Sequence, residues 1–361
     1  MPSAPIMTSP SHVSKPIRTL VVDDSVVVRT VIERILNGND RFVVVNKSSS
    51  AEQALAFLSE NSVDLILLDI ELPGQSGLAA LPAILQAGAG VKVAILSGKC
   101  EEGSAAAVEA LALGASDILS KPGSGSFGEQ FPHALVERLN RLFDDDAQDM
   151  PPPASKPPAY PASQNATQPL ACLGIGASTG GIHALSQLLD GLDAPLGVPI
   201  LLTQHLPLSF TVYFAQQLAR MTSLRVKVAE TGDLLAPDTI YVAPGDANLQ
   251  LRKGLHRRVT IQLNPERTPA GNLPGVDPMF ASMAQAFGAG AAGIVLTGMG
   301  RDGTVGARDI VAAGGWVVAQ DEASSVVWGM PGSVAGEGLT CAMMAPGEMM
   351  AFVARRGKVV A

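Results

Sequence analysis

From Ile17 onward the chain alternates short aliphatic and β-branched runs with stretches of helical periodicity. The runs are IRTLVVDDS, RFVVVNKSSS, VDLILLDI, VKVAILSG and ASDILSKP, and VVVRTVIERILN and AEQALAFLSEN lie between them. Strands that are apolar throughout, rather than at every second position, belong in a parallel sheet covered on both faces. Residues 17–143 are therefore predicted to form a doubly wound α/β domain, preceded by a flexible arm over residues 1–16.

Between residues 144 and 169 the text changes to DDDAQDMPPPASKPPAYPASQNATQP, with almost no large apolar side chains. Such a segment cannot build a core and reads as a semi-stiff spacer. A second alternating series fills residues 170–361, with strands expected at ACLGIGAS, VPILLTQHL, AAGIVLTG and GGWVVAQ and helices after the first three. Its middle section, from Arg225 to Leu263, punctuates short strands with turns, which predicts an antiparallel excursion from a second parallel sheet.

At 361 residues the chain exceeds the size at which single cores stop growing, which fits this two-domain reading. Apolar residues make up 47% and charged residues 16%, so both halves can bury a core. The net charge of -8 argues against nucleic acid as a partner. No stretch offers the ~20 apolar residues a membrane span needs, so no membrane insertion and a cytoplasmic location are expected. Cys100, Cys172 and Cys341 are far apart and odd in number, which suits reduced thiols rather than a disulfide framework.

Polar residues gather where the strands of the first domain end. Asp23 and Asp24 close the first strand, Asp69 the third and Ser97 the fourth, and Lys121 follows the fifth. Ligands of open parallel sheets collect outside these carboxyl ends. Three converging carboxylates repel one another unless a hard cation joins them, and Mg²⁺ prefers oxygen ligands of this kind. Asp69 is the best placed to attack a phosphoryl donor, with the Ser97 hydroxyl and the Lys121 ammonium meeting the new phosphate. The pattern resembles the receiver domain of response regulators, a flavodoxin-like doubly wound sheet. The resemblance assigns Asp23, Asp24 and Asp69 to metal, Asp69 to phosphorylation, and Ser97 and Lys121 to the switch. Where receivers often carry an aromatic residue three positions before the lysine, this chain has Ile118.

The second domain opens on Gly174-Ile175-Gly176-Ala177-Ser178-Thr179-Gly180-Gly181, between an apolar strand and a helix. It contains a G-x-S-x-G turn, whose glycines permit a sharp bend that lifts the Ser178 hydroxyl out of the sheet. The same letters allow a glycine-rich dinucleotide turn, but that reading needs a carboxylate at the end of the next strand, and Thr203-Gln204-His205 stands there. An imidazole can take a proton from a hydroxyl and return one to a leaving group near neutral pH. A third strand ends in Gly298-Met299-Gly300-Arg301-Asp302-Gly303, where Asp302 could accept the Nδ1 proton of His205. His12, His133, His183 and His256 are less suitably placed. The order Ser, His, Asp differs from that of α/β-hydrolases.

Those turns, together with AQDEASSVVWGMPGSV, resemble the catalytic domain of the chemotaxis protein-glutamate methylesterase (CheB) family over residues 170–355. The resemblance implies Ser178 as nucleophile, His205 as general base and Asp302 as its orienter. The Met299 backbone N–H is implied as oxyanion donor, with Thr179 and Gly180 supporting the turn. It further implies methyl-accepting chemoreceptors as substrate, demethylation of their glutamate esters and deamidation of their glutamines. A chemotaxis histidine kinase is implied as phosphodonor, and no cofactor for the esterase step. One departure stands out: Asn272-Leu273-Pro274-Gly275-Val276-Asp277-Pro278 replaces the family's usual His-Arg-Pro-Ser-Val-Asp. Asp277 and Pro278 are expected to cap and start the next helix.

Overall fold

The computed structural model describes residues 15–88, 90–97, 105–121, 130–143, 168–192, 194–254 and 258–357. Cys100, His12, His256, most of the predicted arm and most of the predicted spacer lie outside these residues.

The first unit has strands β1 (Ile17–Val22), β2 (Phe42–Ser48), β3 (Leu65–Asp69), β4 (Lys92–Ser97) and β5 (Asp117–Ser120). Its helices are α1 (Val26–Asn37), α2 (Ala51–Leu58), α3 (Gly77–Ala87), α4 (Ala105–Ala112) and α5 (Gln130–Phe143). The strands form one parallel sheet in the order β2-β1-β3-β4-β5. Every residue of β3 is buried, as a strand covered on both faces requires. Ser25, Ser50 and Ser76 cap the first three helices, each side-chain oxygen accepting a backbone N–H of the first turn.

The second unit runs through β6 (Cys172–Ala177), α6 (Gly181–Asp190), β7 (Ile200–Gln204), α7 (Leu208–Met221), β8 (Arg225–Val228) and β9 (Thr239–Val242). It continues through β10 (Asn248–Lys253), β11 (Val259–Asn264), α8 (Val276–Phe287), β12 (Ala291–Val295) and α9 (Thr304–Ala312). It ends with β13 (Trp316–Gln320), α10 (Gly329–Gly336), β14 (Ala342–Met344) and α11 (Pro346–Arg356). A seven-stranded sheet has the order β14-β13-β12-β6-β7-β9-β8, with all its pairings parallel. The expected antiparallel excursion is a hairpin. Strands β10 and β11 pair antiparallel as a separate two-stranded ladder, which Leu234 joins by a bridge to Thr260, while β8 and β9 extend the main sheet. Strands as short as RVKV and TIYV carry too little pattern to reveal their direction.

Strand order reverses at β6, with β7 on one side and β12 on the other, so the loops after these three strands share one rim. A single buried apolar cluster runs from the first sheet through Val108 and Leu111 of α4 to Leu185 of α6 and Phe214 of α7. Helix α4 therefore packs against α6 and α7, and the two units share a core surface. Cys172 is buried in β6 and Cys341 is exposed ahead of β14.

Candidate active site and acidic pocket

The turn after β6 is built around close approaches that only glycine allows. Gly180 has φ +75°, and a Cβ there would lie 2.5 Å from a Val326 methyl group. A Cβ on Gly298, in the loop after β12, would lie 2.7 Å from the Ser178 Cβ. The backbone of Ser178 is pinned on both sides, its N–H donating to Thr297 O at 3.1 Å and its C=O accepting from Gly181 N–H at 2.8 Å. The Thr179 carbonyl accepts from the Thr297 hydroxyl at 3.0 Å, which ties the predicted support residue to the end of β12.

His205 follows β7, and its N–H donates to Ala177 O at 3.0 Å, which sets it beside Ser178. Its ring meets Asp302 at 2.7 Å, but through Nε2 and not the predicted Nδ1. The correction has a geometric reason. Asp302 is anchored away from the end of β7 by the backbone N–H groups of Val276 (2.8 Å), Asp277 (3.0 Å) and Gly303 (3.0 Å), and the ring reaches it with its distal nitrogen. With Nε2 engaged by Asp302, Nδ1 is the ring nitrogen left for proton exchange.

The same bonds correct a second expectation. Gly275, not Asp277, occupies the cap position of α8, and Asp277 sits within the first turn, accepting from Gly306 N–H at 2.8 Å. The Asp302 carboxylate takes up the N–H groups that a capping side chain would have satisfied. Asp302 is only 4% exposed. Burial pushes its carboxyl upward, but the His205 hydrogen bond and charge, with the backbone N–H donors, outweigh it and hold the pKa below the usual value. Asp277 moves the other way, because burial and the adjacent Asp302 charge push it up to about 6.

Ser178, Thr179, Gly180, His205, Asn272 and Met299 line one cavity of about 570 Å³. Its opposite wall comes from the first unit: Asp117 and Ile118 of β5, and Arg138 and Arg141 of α5. Asp117 and Arg138 form a bidentate ion pair there, at 2.7 and 2.8 Å.

On the rim of the first sheet, oxygens of Asp23, Asp24 and Asp69 all lie within 4.8 Å of one another. Asp23 and Asp69 are buried, and the Lys121 ammonium bridges them at 2.6 and 2.7 Å. Asp23 Oδ2 is buried with this ammonium as its ion-pair partner, and a carboxylate oxygen that accepts one bond keeps a second lone pair for a cation. An all-oxygen set with a spare buried acceptor fits a hard divalent ion. Burial raises the Asp69 carboxyl despite Lys121, whereas Lys121 is raised because its two carboxylate bonds outweigh its own burial. Ser97 closes β4 as predicted, and its side chain lies outside the described residues.

Sequence reasoning passed over Gln204, whose Nε2 donates to Ser178 O at 2.8 Å, and Thr297, which bonds both Thr179 and Val327. Their position at strand ends beside the predicted triad was the available signal.

An acidic pocket on one sheet, and hydroxyl, imidazole and carboxylate on the rim of another, define a response regulator that carries a hydrolase-type domain. Residues 19–126 match the model of the response regulator receiver domain, and residues 173–353 that of the CheB methylesterase. The protein-glutamate methylesterase/protein-glutamine glutaminase 2 of Caulobacter vibrioides is 38% identical, covering 95% of this chain and 100% of its own. A Nocardioides protein-glutamate methylesterase/protein-glutamine glutaminase is 42% identical over 90% of both chains. The crystal structure of the Thermotoga maritima CheB methylesterase catalytic domain aligns with a TM-score of 0.50 at 33% identity, covering 52% of this chain and 98% of its own. The chain belongs to the CheB methylesterase family, with a receiver domain ahead of the esterase.

Proposed function

We propose that this protein is a chemotaxis adaptation enzyme that hydrolyses glutamate methyl esters, and deamidates glutamines, on methyl-accepting chemoreceptors. The observation that carries this reading is the 2.7 Å bond from the buried Asp302 to His205, which lines the same cavity as Ser178. His205 Nδ1 takes the Ser178 hydroxyl proton as Oγ attacks the ester carbonyl. The negative charge on the carbonyl oxygen is met by the Met299 N–H, a contribution of ~2.7–4 kcal/mol for one such donor. His205 then protonates the departing methoxide, methanol leaves, and water attacks the acyl-enzyme by the reverse proton path. Amide substrates follow the same route with ammonia as leaving group. Nucleophile, base and charge stabilisation all come from the chain, so no cofactor is assigned to the esterase step. In Ser178→Ala, methanol release from methylated receptor membranes should fall at least ~10³-fold; retention of the parental rate refutes the assignment.

The receiver over residues 17–143 is assigned as a gate, joined by the spacer at 144–169 to the catalytic domain at 170–361. Asp23, Asp24 and Asp69 would hold Mg²⁺, which supplies charge neutralisation during phosphoryl transfer. Asp69 accepts the phosphoryl group from a chemotaxis histidine kinase, and Lys121 and Ser97 meet the added charge. Lys121 bridges Asp23 and Asp69, so a phosphate on Asp69 changes the partners of the residue that directly follows β5. Ile118 of that strand faces the cavity shared with Ser178, a short route from phosphorylation to the catalytic mouth. A small acyl phosphate should raise activity in the parent and leave Asp69→Asn at its basal rate, and equal stimulation of both excludes the gate. Among the described residues no helix is long and apolar enough to cross a membrane, and the assigned location is the cytoplasm.

A further inference from the structure

Gln204 ends β7 immediately before His205 and is only 4% exposed. Its Nε2 donates to the Ser178 carbonyl at 2.8 Å, while its Oε1 is buried without a hydrogen-bond partner. The two facts are linked. Turning the amide over would satisfy nothing, because Oε1 would then press against the carbonyl oxygen of Ser178, lone pair against lone pair. The orphaned oxygen is the consequence of giving that carbonyl a donor. The amide is packed against the turn: Oε1 lies 2.4 Å from where a Cβ on Gly181 would stand, a site that also crowds the Ala177 Cβ.

A half-satisfied buried amide destabilises the fold relative to an apolar side chain of the same length. Stability is therefore not what the glutamine supplies. Its bond acts on the backbone of Ser178, whose carbonyl orientation sets the ψ of that residue and helps aim the Cα–Cβ bond. The Gly181 N–H contacts the same oxygen at 2.8 Å, but it belongs to the turn itself and moves with it. Gln204 is anchored in β7, paired with Ala177 across the sheet, and is the neighbour of the imidazole.

We infer that Gln204 is a positioning residue, which holds the Ser178 carbonyl so that the hydroxyl stays aligned with the imidazole of the adjacent His205. The inference rests on the esterase reading and deepens it. The test uses the full-length chain with a small acyl phosphate, comparing parent, Gln204→Met and Gln204→Glu. Four quantities are read: kcat and KM for methanol release from methylated receptors, the rate of labelling by a fluorophosphonate, and Tm. Gln204→Met keeps the length and loses the donor. Its kcat and labelling rate should fall ~10- to 100-fold, the scale of a misplaced reacting group, with KM within twofold and Tm unchanged or higher. Gln204→Glu should show the same loss in kcat, since an ionised carboxylate offers the carbonyl no proton. Rates within threefold of the parent in both variants overturn the inference. So does a loss of activity that tracks a fall in Tm or a matching rise in KM. A parent that neither releases methanol nor reacts with the fluorophosphonate instead removes the esterase reading itself.

Discussion

Asp302 and Asp277 are two carboxyl groups at the start of one helix, and their surroundings drive them apart. Asp302 collects three backbone N–H groups and the imidazole, so its ionised form is favoured in the fold. Asp277 accepts from the Gly306 N–H but faces a charged neighbour, and burial dominates its balance. An acid whose pKa is raised on folding contributes stability below its unfolded value, near 4, and loses it as pH rises through the folded value of about 6. Asp302, depressed on folding, does the opposite: its contribution is present above the ordinary carboxylate value and lost as pH falls below it. Asp277→Asn, which keeps an acceptor for Gly306, should therefore raise Tm at pH 8 and flatten its rise between pH 8 and 5. Calorimetry at both pH values checks this, and a Tm lowered equally at each would show that the charge is not what Asp277 costs the fold.

The loop into α8 replaces the family's usual serine with Gly275, and its packing explains why the small residue is tolerated. A Cβ at this position would lie 2.4 Å from Thr268 Cγ2, with Asn248 Oδ1 at 3.2 Å. The Gly275 N–H already donates to that Asn248 oxygen at 2.7 Å, so the loop is anchored by the hairpin strand β10 without help from a cap side chain. The space of the missing side chain is thus taken by Thr268. Gly275→Ser alone should lower stability by ~1–3 kcal/mol, as overpacking does. Combined with Thr268→Ala it should recover most of that, giving a coupling energy of at least ~0.5 kcal/mol in a double-mutant cycle read by denaturant unfolding. Additive effects would show that the two positions do not share this volume.

The two units meet through α4, whose last carbonyl, Ala112 O, accepts from His183 Nδ1 at 3.0 Å. His183 lies on α6, the helix that begins three residues after Ser178, and its Nε2 bonds Gln187 at 3.0 Å. The receiver thus grips the helix that follows the Ser178 turn while its β5 and α5 wall the cavity. If this contact holds the gate closed, His183→Ala removes about 1 kcal/mol of docking and shifts the closed–open balance about fivefold. Basal methanol release should rise by that factor, with the rate in the presence of acyl phosphate unchanged. An unaltered basal rate would place the clamp elsewhere on the interface.

Much of this was legible along the chain. Uninterrupted apolar strands imply doubly covered parallel sheets, and the glycine turn, His205 and Asp302 follow strands whose carboxyl ends must lie at one rim. Short-range chemistry and periodicity suffice for that, because strand character and loop position are local properties. What only the tertiary structure decided are relations between distant segments. The imidazole meets Asp302 through Nε2 because the start of α8 fixes that carboxylate; β8 and β9 join the main sheet because β9 pairs with β7 and β8 lies outside it, an order their own residues do not encode; Gln204 bonds the carbonyl of Ser178 across adjacent strands. The direction of a side chain and the partner of a buried polar group depend on which backbone arrives opposite, and packing alone selects it.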